Sequence, residues 1–160
     1  MRSGLTMIMG RAMTVKMVEA SDTTAPKPVR HFANCNKPNS IMYIQQPKGL
    51  YSACWGGLMS TRAKHLGAGR VIVDGRVRDI AEHQVIDFPV FARETSILSS
   101  NTFTRASEID VLLQFKNDLW IYAGDKRTLR RRSPTFPAFV IKQGPLRKDP
   151  AFARRPHSDR

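Results

Sequence analysis

Apolar and polar positions along the first 125 residues alternate or cluster in the way expected of short strands interrupted by two helices. Ala12 to Val18 alternates weakly and runs into Ser21-Asp-Thr-Thr-Ala-Pro-Lys-Pro28, whose Ser, Asp and Pro content marks a loop. Ile41-Met-Tyr-Ile-Gln45, entered through Lys37-Pro-Asn-Ser40 and closed by Gln46-Pro-Lys-Gly49, reads as a second strand. Leu58, Met59, Arg62, Ala63 and Leu66 recur at helical spacing until Gly67-Ala-Gly69 ends the helix. Val71-Ile-Val73 then has the continuous apolar character of a strand covered on both faces. Strand, helix and strand from 41 to 73 make a βαβ unit, with parallel strands and a right-handed crossover. Beyond it come a short helical pattern from Asp79 to Gln84, a strand Phe88-Pro-Val-Phe-Ala92, and one further strand from Ile109 to Phe115. The apolar run Leu119-Trp-Ile-Tyr122 stops at Ala123-Gly-Asp125, and no internal repeat is present.

After Asp125 the pattern changes to Arg130-Arg-Arg132, Ser133-Pro-Thr-Phe-Pro137 and Lys148-Asp-Pro-Ala-Phe-Ala-Arg-Arg155, with strand character only from Phe136 to Ile141. The expected organisation is one α/β domain over 1–125 and a disordered, basic, Pro/Arg-rich tail over 126–160. Charge follows the same boundary. Eleven of the 26 Lys/Arg and two of the 13 acids lie in 126–160, so +9 of the net +13 belongs to the tail. A pI near 10.6 therefore reports the tail, for which non-specific contact with polyanions is the reading and a dedicated nucleic-acid arm the alternative. A chain of 160 residues suffices for one core, burying about two-thirds of its unfolded surface.

Two cysteines, Cys35 and Cys54, without a Cys-x-x-Cys or a histidine at metal spacing, argue against a disulfide scaffold or structural zinc and for a reducing compartment. No apolar run reaches the roughly 18 to 20 residues needed to span a bilayer, so the expectation is a cytoplasmic protein without membrane contact. Met1 to Met17 carries Arg2, Arg11 and Lys16 with no acid before Glu19, as a transit peptide would, yet it lacks a secretory apolar core. It reads as part of the domain, with mitochondrial import as the alternative.

The candidate chemistry lies in the run from Val71 to Ala81, where a short strand delivers Arg78 and Asp79 to its exit turn. Ligands of open α/β sheets sit at such strand ends. Twenty-two residues before Arg78, Gly56-Gly57-Leu58-Met59 opens the helix and can offer free backbone N–H groups to an anion. A guanidinium for a carboxylate, an acid for a cation and helix-end amides together sketch a site for a small oxo-acid. Taken alone, Arg78-Asp79 reads as a surface ion pair, and Asp74 with Gly75 as a turn. His65 and His83 read as solvated; Glu82 could face the site but suits a cap or solvent better. Trp55 should pack under the glycine turn, and Lys64 should point to water.

The stretch Ala53-Cys-Trp-Gly-Gly-Leu-Met-Ser-Thr-Arg-Ala-Lys64, followed by Gly69-Arg-Val-Ile-Val-Asp-Gly-Arg-Val-Arg-Asp79 and Phe88-Pro-Val-Phe-Ala-Arg93, resembles the central motifs of the RraA family. That family is named for the regulator of ribonuclease activity A and includes the 4-hydroxy-4-methyl-2-oxoglutarate aldolases; the likeness is to its eukaryotic RraA-like branch, over about residues 10 to 125. The resemblance implies an α/β fold of the swivelling β/β/α type, related to phosphohistidine domains and incomplete here at its C-terminal end. It implies a homotrimer, or a hexamer of two trimers, with sites between subunits. It also implies a class II aldolase, in which Mg2+ or Mn2+ stabilises the enolate during retro-aldol cleavage of 4-hydroxy-4-methyl-2-oxoglutarate-like substrates or decarboxylation of oxaloacetate.

Carried onto this chain, the resemblance gives Gly56, Gly57, Leu58 and Met59 the role of backbone donors to substrate. Arg78 would hold the carboxylate and keto oxygens, and Asp79 the metal. The chain departs from the family at Gly57, where aldolase members usually carry an acid. It departs again after Asp125, where Lys126-Arg-Thr-Leu-Arg-Arg-Arg132 replaces apolar strands, as a frameshift or mis-spliced exon would. Two alternatives follow: a non-catalytic binding protein of the ribonuclease-inhibitor type, or an inactive truncated homologue.

Overall fold

The computed structural model describes residues 7–116, 119–124, 126–131 and 139–143. Its frame is a curled sheet built around one long strand, β1 (Met7–Glu19). Along one edge β1 pairs in parallel with β2 (Ser40–Gln45), and β2 in turn with β4 (Arg70–Val77). Two more strands, β3 (Ala53–Trp55) and β5 (Val90–Thr95), join β4 in parallel. The other edge of β1 is shared by two antiparallel partners: β6 (Thr104–Ile109) pairs with its last residues and β9 (Lys126–Arg131) with its first, and β10 (Phe139–Gln143) follows on β9. A separate hairpin is formed by β7 (Leu113–Lys116) and β8 (Leu119–Ile121). The helices are α1 (Gly57–His65), between β3 and β4, and α2 (Ile80–Val85), between β4 and β5.

Side chains on alternate residues of a strand point to opposite faces, and both faces of this sheet are covered. Met13, Val15 and Met17 of β1, Met42 and Ile44 of β2, and Val71, Val73 and Val77 of β4 form the larger cluster, with Trp55, Ala63 and Phe32. Ala12, Ile41, Tyr43 and Ile72 face the other way and are closed over by Leu113 and Ile121 of the hairpin. Full burial of such aliphatic side chains contributes about 1.5–3 kcal/mol each, which accounts for the uninterrupted apolar runs in β2 and early β4.

Four sequence expectations are corrected. Asp74-Gly75 is not a turn: β4 runs through it to Val77. The backbone N–H of Arg76 donates to Oε1 of the buried Gln46 at 3.0 Å, and a Cβ on Gly75 would lie 2.3 Å from that oxygen, so glycine here admits a side chain from the neighbouring strand's exit. The expected strand from Ile109 to Phe115 is broken at Asp110, whose φ of 57° lies in the left-handed region that Asp tolerates and whose N–H donates to the Thr14 carbonyl at 2.8 Å. β6 was not expected because its sequence is polar; Thr104 earns its buried place by donating to the Val18 carbonyl at 2.9 Å. Within the basic segment after Asp125, β9 is a strand where disorder was expected, because the first half of β1 presents an edge that backbone pairing satisfies whatever the side chains, and β10 overlaps the strand character read from Phe136 to Ile141. Residues 132–138 and 144–160 of that segment lie outside the described residues. Among the described residues no helix is long and apolar enough to cross a membrane.

Candidate active site

β3 is fully buried and ends at Trp55, whose indole Nε1 donates to Ser60 Oγ at 2.7 Å and so pins the strand to α1. Its carbonyl accepts from the Arg78 N–H at 3.0 Å, which holds the exits of β3 and β4 side by side. Between them lies the glycine pair. Gly56 is the extended N-cap of α1 and has no side chain with which to cap it. The cap comes from across the turn: the Gly57 N–H donates to Asp79 Oδ2 at 2.9 Å. A Cβ on Gly56 would lie 2.7 Å from Asp79 Oδ2 and 3.0 Å from Arg78 Nε, so the glycine is demanded by the approach of these two side chains.

Arg78 and Asp79 are themselves 3.4 Å apart, Nε to Oδ2, with side chains 40 % and 31 % exposed. A pair this open contributes at most about 1 kcal/mol to folding. Asp79 adopts φ 60°, ψ 43°, a left-handed conformation that costs on the order of 1 kcal/mol and turns the chain from β4 directly into α2. The structure therefore brings Gly56, Gly57, Arg78 and Asp79 to one place. Leu58 and Met59 contribute backbone only: the Leu58 side chain is exposed and Met59 packs on the core. Their N–H groups belong to the first helical turn, which lacks intrahelical acceptors.

Glu82 is the residue that sequence reading set aside. Its Oε2 occupies the space beside Gly57, where a Cβ would lie 1.6 Å away, so Glu82 faces the head of α1 rather than solvent alone. The signal was present in its position one helical turn after Asp79, opposite a residue with no side chain. Arg78 and Asp79 open into a cleft of about 660 Å³ that is also lined by Tyr51, Arg76, Ile80 and Ile97. The carboxylate oxygens of Asp79 and Glu82 are hard donors of the kind Mg2+ and Mn2+ prefer. No group of three or more His, Cys, Asp or Glu that could hold a metal occurs among the described residues. Mg2+ is commonly held by one or two carboxylates and waters, so this donor set fits such an ion and not a closed zinc site.

His83, expected in solvent, is buried at 5 % exposure on the inner side of α2. Burial lowers its pKa, opposed by the Arg78 backbone and by the Asp79 and Glu82 carboxylates. A folded-state value below the ordinary 6.5 means that the unfolded chain binds more protons as pH falls, so the stability from the neutral imidazole is complete above pH 6.5 and is lost below it. Urea midpoints of the parent should fall between pH 7 and 5, and His83→Gln should flatten that fall; identical slopes would refute the assignment. The two cysteines are free, and burial pushes the Cys54 thiol up to about 12, which removes it as a nucleophile.

Residues 1–126 match the model of the RraA-like family, described as Aldolase/RraA. An uncharacterized protein of Methanocaldococcus jannaschii is 35 % identical over 88 residues, 54 % of this chain and 40 % of that protein. A Halalkalibacterium halodurans protein with the provisional name 4-hydroxy-4-methyl-2-oxoglutarate aldolase is 31 % identical over 93 residues, 58 % of this chain and 42 % of that protein. The matched stretch thus spans about two-fifths of both curated relatives. Among solved structures, Streptomyces coelicolor RraAS2, described as an unusual member of the RNase ES inhibitor RraA protein family, superposes with a TM-score of 0.69 at 18 % identity, covering 87 % of this chain and 66 % of that one. At that identity the likeness shows the fold.

Proposed function

The chain belongs to the RraA-like family, and from that premise we propose that it is a cytoplasmic, divalent-metal-dependent lyase of the class II aldolase type. Its substrates are oxo-acids of the 4-hydroxy-4-methyl-2-oxoglutarate kind, cleaved to pyruvate, and oxaloacetate, decarboxylated to pyruvate. The observation that carries this reading is the meeting of the glycine turn with Arg78 and Asp79, sealed by the 2.9 Å bond from the Gly57 N–H to Asp79. Both reactions leave an electron pair on the pyruvyl unit. Arg78 binds its carboxylate and keto oxygen through the guanidinium fork, and the positive end of α1 acts through Asp79, which the Gly57 N–H holds in place. Donors held in place before the reaction contribute a few kcal/mol each to such a step. Asp79, with Glu82 beside it, holds the Mg2+ or Mn2+, which when bound supplies Lewis-acid stabilisation of the same charge.

We also propose a homotrimer, a reading supported by exposed apolar side chains in the cleft wall, Tyr51 at 71 % and Ile97 at 95 %, and at the head of α1, Leu58 at 83 %. Light scattering on the purified chain should give three times 18.1 kDa, or six times for paired trimers, and a dispersed monomer would contradict the assembly. The same exposed side chains favour the second reading, a non-catalytic protein that regulates a ribonuclease by contact. Pyruvate release from 4-hydroxy-4-methyl-2-oxoglutarate and oxaloacetate, with and without Mg2+, separates the two. Metal-stimulated release is expected; its absence on both substrates rejects the lyase.

A further inference from the structure

A buried amide joins the two segments that meet at the glycine turn. Gln46 directly follows β2 and is 5 % exposed. Its Nε2 donates to the Ser52 carbonyl at 2.8 Å, its Oε1 accepts the Arg76 N–H at 3.0 Å, and its own N–H donates to the Asp74 carbonyl at 3.2 Å. Ser52 immediately precedes β3, which leads to Gly56 and Gly57, and Arg76 stands two residues before Arg78. Both ends of one amide therefore hold the backbones that deliver the two halves of the site. The pairing of β4 also loses its regular step here. From Val73 to Arg76 it advances three residues while β5 advances two, from Ala92 to Glu94, and against β3 the adjacent Arg76 and Val77 oppose Ala53 and Trp55. Irregular steps of this kind re-aim the side chains that follow and recur beside active sites. Gly75 completes the fit, because a Cβ there would lie 2.7 Å from the Gln46 Cβ.

We propose that Gln46 is a positioning residue: its amide sets the offset between the exits of β3 and β4, and with it the approach of Arg78 and Asp79 to the Gly57 N–H. Gln46 does not line the cleft into which Arg78 and Asp79 open, so it acts on a substrate only through them. Its kinetic consequence rests on the lyase reading; its effect on the turn does not.

The test uses the full chain and three variants. Gln46→Met keeps the length of the side chain and removes both amide hydrogen bonds; Gln46→Glu restores the acceptor for Arg76 and, when protonated, a donor for Ser52. Leu113→Ala, in the hairpin over the opposite face of the sheet, controls for lost stability alone. Two quantities are measured where each chain is folded: hydrogen exchange of the Gly57 amide by NMR, and kcat/KM for pyruvate release from oxaloacetate. Gln46→Met should exchange Gly57 at least about tenfold faster than the parent and lower kcat/KM by about ten- to a hundredfold, the loss expected of a displaced binding group. Leu113→Ala should do neither. Gln46→Glu should approach the parent as pH falls and its buried carboxyl becomes neutral. A Gly57 amide in Gln46→Met that exchanges as in the parent would overturn the proposal, as would equal losses in Leu113→Ala or, where the chain turns over, an unchanged kcat/KM. If Gln46→Met does not fold, Gln46→Glu decides, and no recovery at low pH rejects the role. Failure of the lyase is visible separately: a loosened Gly57 without pyruvate release from any form removes the reaction and keeps Gln46, whereas release with an undisturbed Gly57 does the reverse.

Discussion

Arg78→Ala is expected to lower kcat/KM for pyruvate release from oxaloacetate by about a hundred- to a thousandfold, the loss typical when one pre-organised donor to a developing anion is removed. Folding should be nearly untouched, because the Arg78 side chain is 40 % exposed and its pair with Asp79 is an open one. Arg78→Lys keeps the charge without the fork and should recover only part of the rate. Asp79 needs a subtler variant. Alanine there would remove the acceptor for the Gly57 N–H, costing about 1 kcal/mol as a lost cap, and would leave a residue ill suited to φ 60°. Asp79→Asn retains an oxygen acceptor and tolerates the left-handed backbone, so it should fold like the parent while losing the response to Mg2+. Rates matching the parent in both Arg78→Ala and Asp79→Asn, with metal making no difference, would sink the lyase.

Trp55→Ala should cost about 3–5 kcal/mol of folding free energy, measured by urea unfolding, the largest effect of any single change here. The side chain is 1 % exposed, touches Phe32 and is a main member of the larger core cluster. Its loss opens a cavity and strands the fully buried Ser60 hydroxyl that accepts its indole N–H. Against a typical stability of about 5–15 kcal/mol that is a large share, and it falls directly beneath the glycine turn. Trp55→Phe, which keeps most of the volume and loses the hydrogen bond, should cost far less, and His65→Ala on the exposed face of α1 should stay within about 0.5 kcal/mol. A Trp55→Ala chain as stable as the His65→Ala control would show that the turn is not built on this core.

Legibility differs from element to element for physical reasons. β2 and α1 were readable because their residues obey one period each and their ends carry local signals, Ser40 and Gln46-Pro-Lys-Gly49 for the strand and the glycines at 56–57 and 67–69 for the helix. β3 is only three residues long, and three residues show no period. β6 is polar because its buried positions are the hydroxyl residues Thr104, bonded to the Val18 carbonyl, and Ser107, which resembles a loop in composition. His83 looked like any helical histidine, since its neighbours along the chain carry no sign of its burial.

By itself the amino-acid order determined that a buried parallel unit spans 41–73, that a glycine pair opens its helix, and that Arg78 and Asp79 follow its last strand. Those are statements about neighbours in the chain, where backbone preference and side-chain period act directly. Only the tertiary structure decided that Asp79 caps α1 across 22 residues, that Glu82 fills the place a side chain at 57 would take, and that β4 runs through Asp74-Gly75 around Gln46. Each of these is a through-space meeting between segments whose separation along the chain carries no trace of their distance apart, and hydrogen bonds at 2.9–3.0 Å are set by how strands stack and helices turn rather than by which residues precede them.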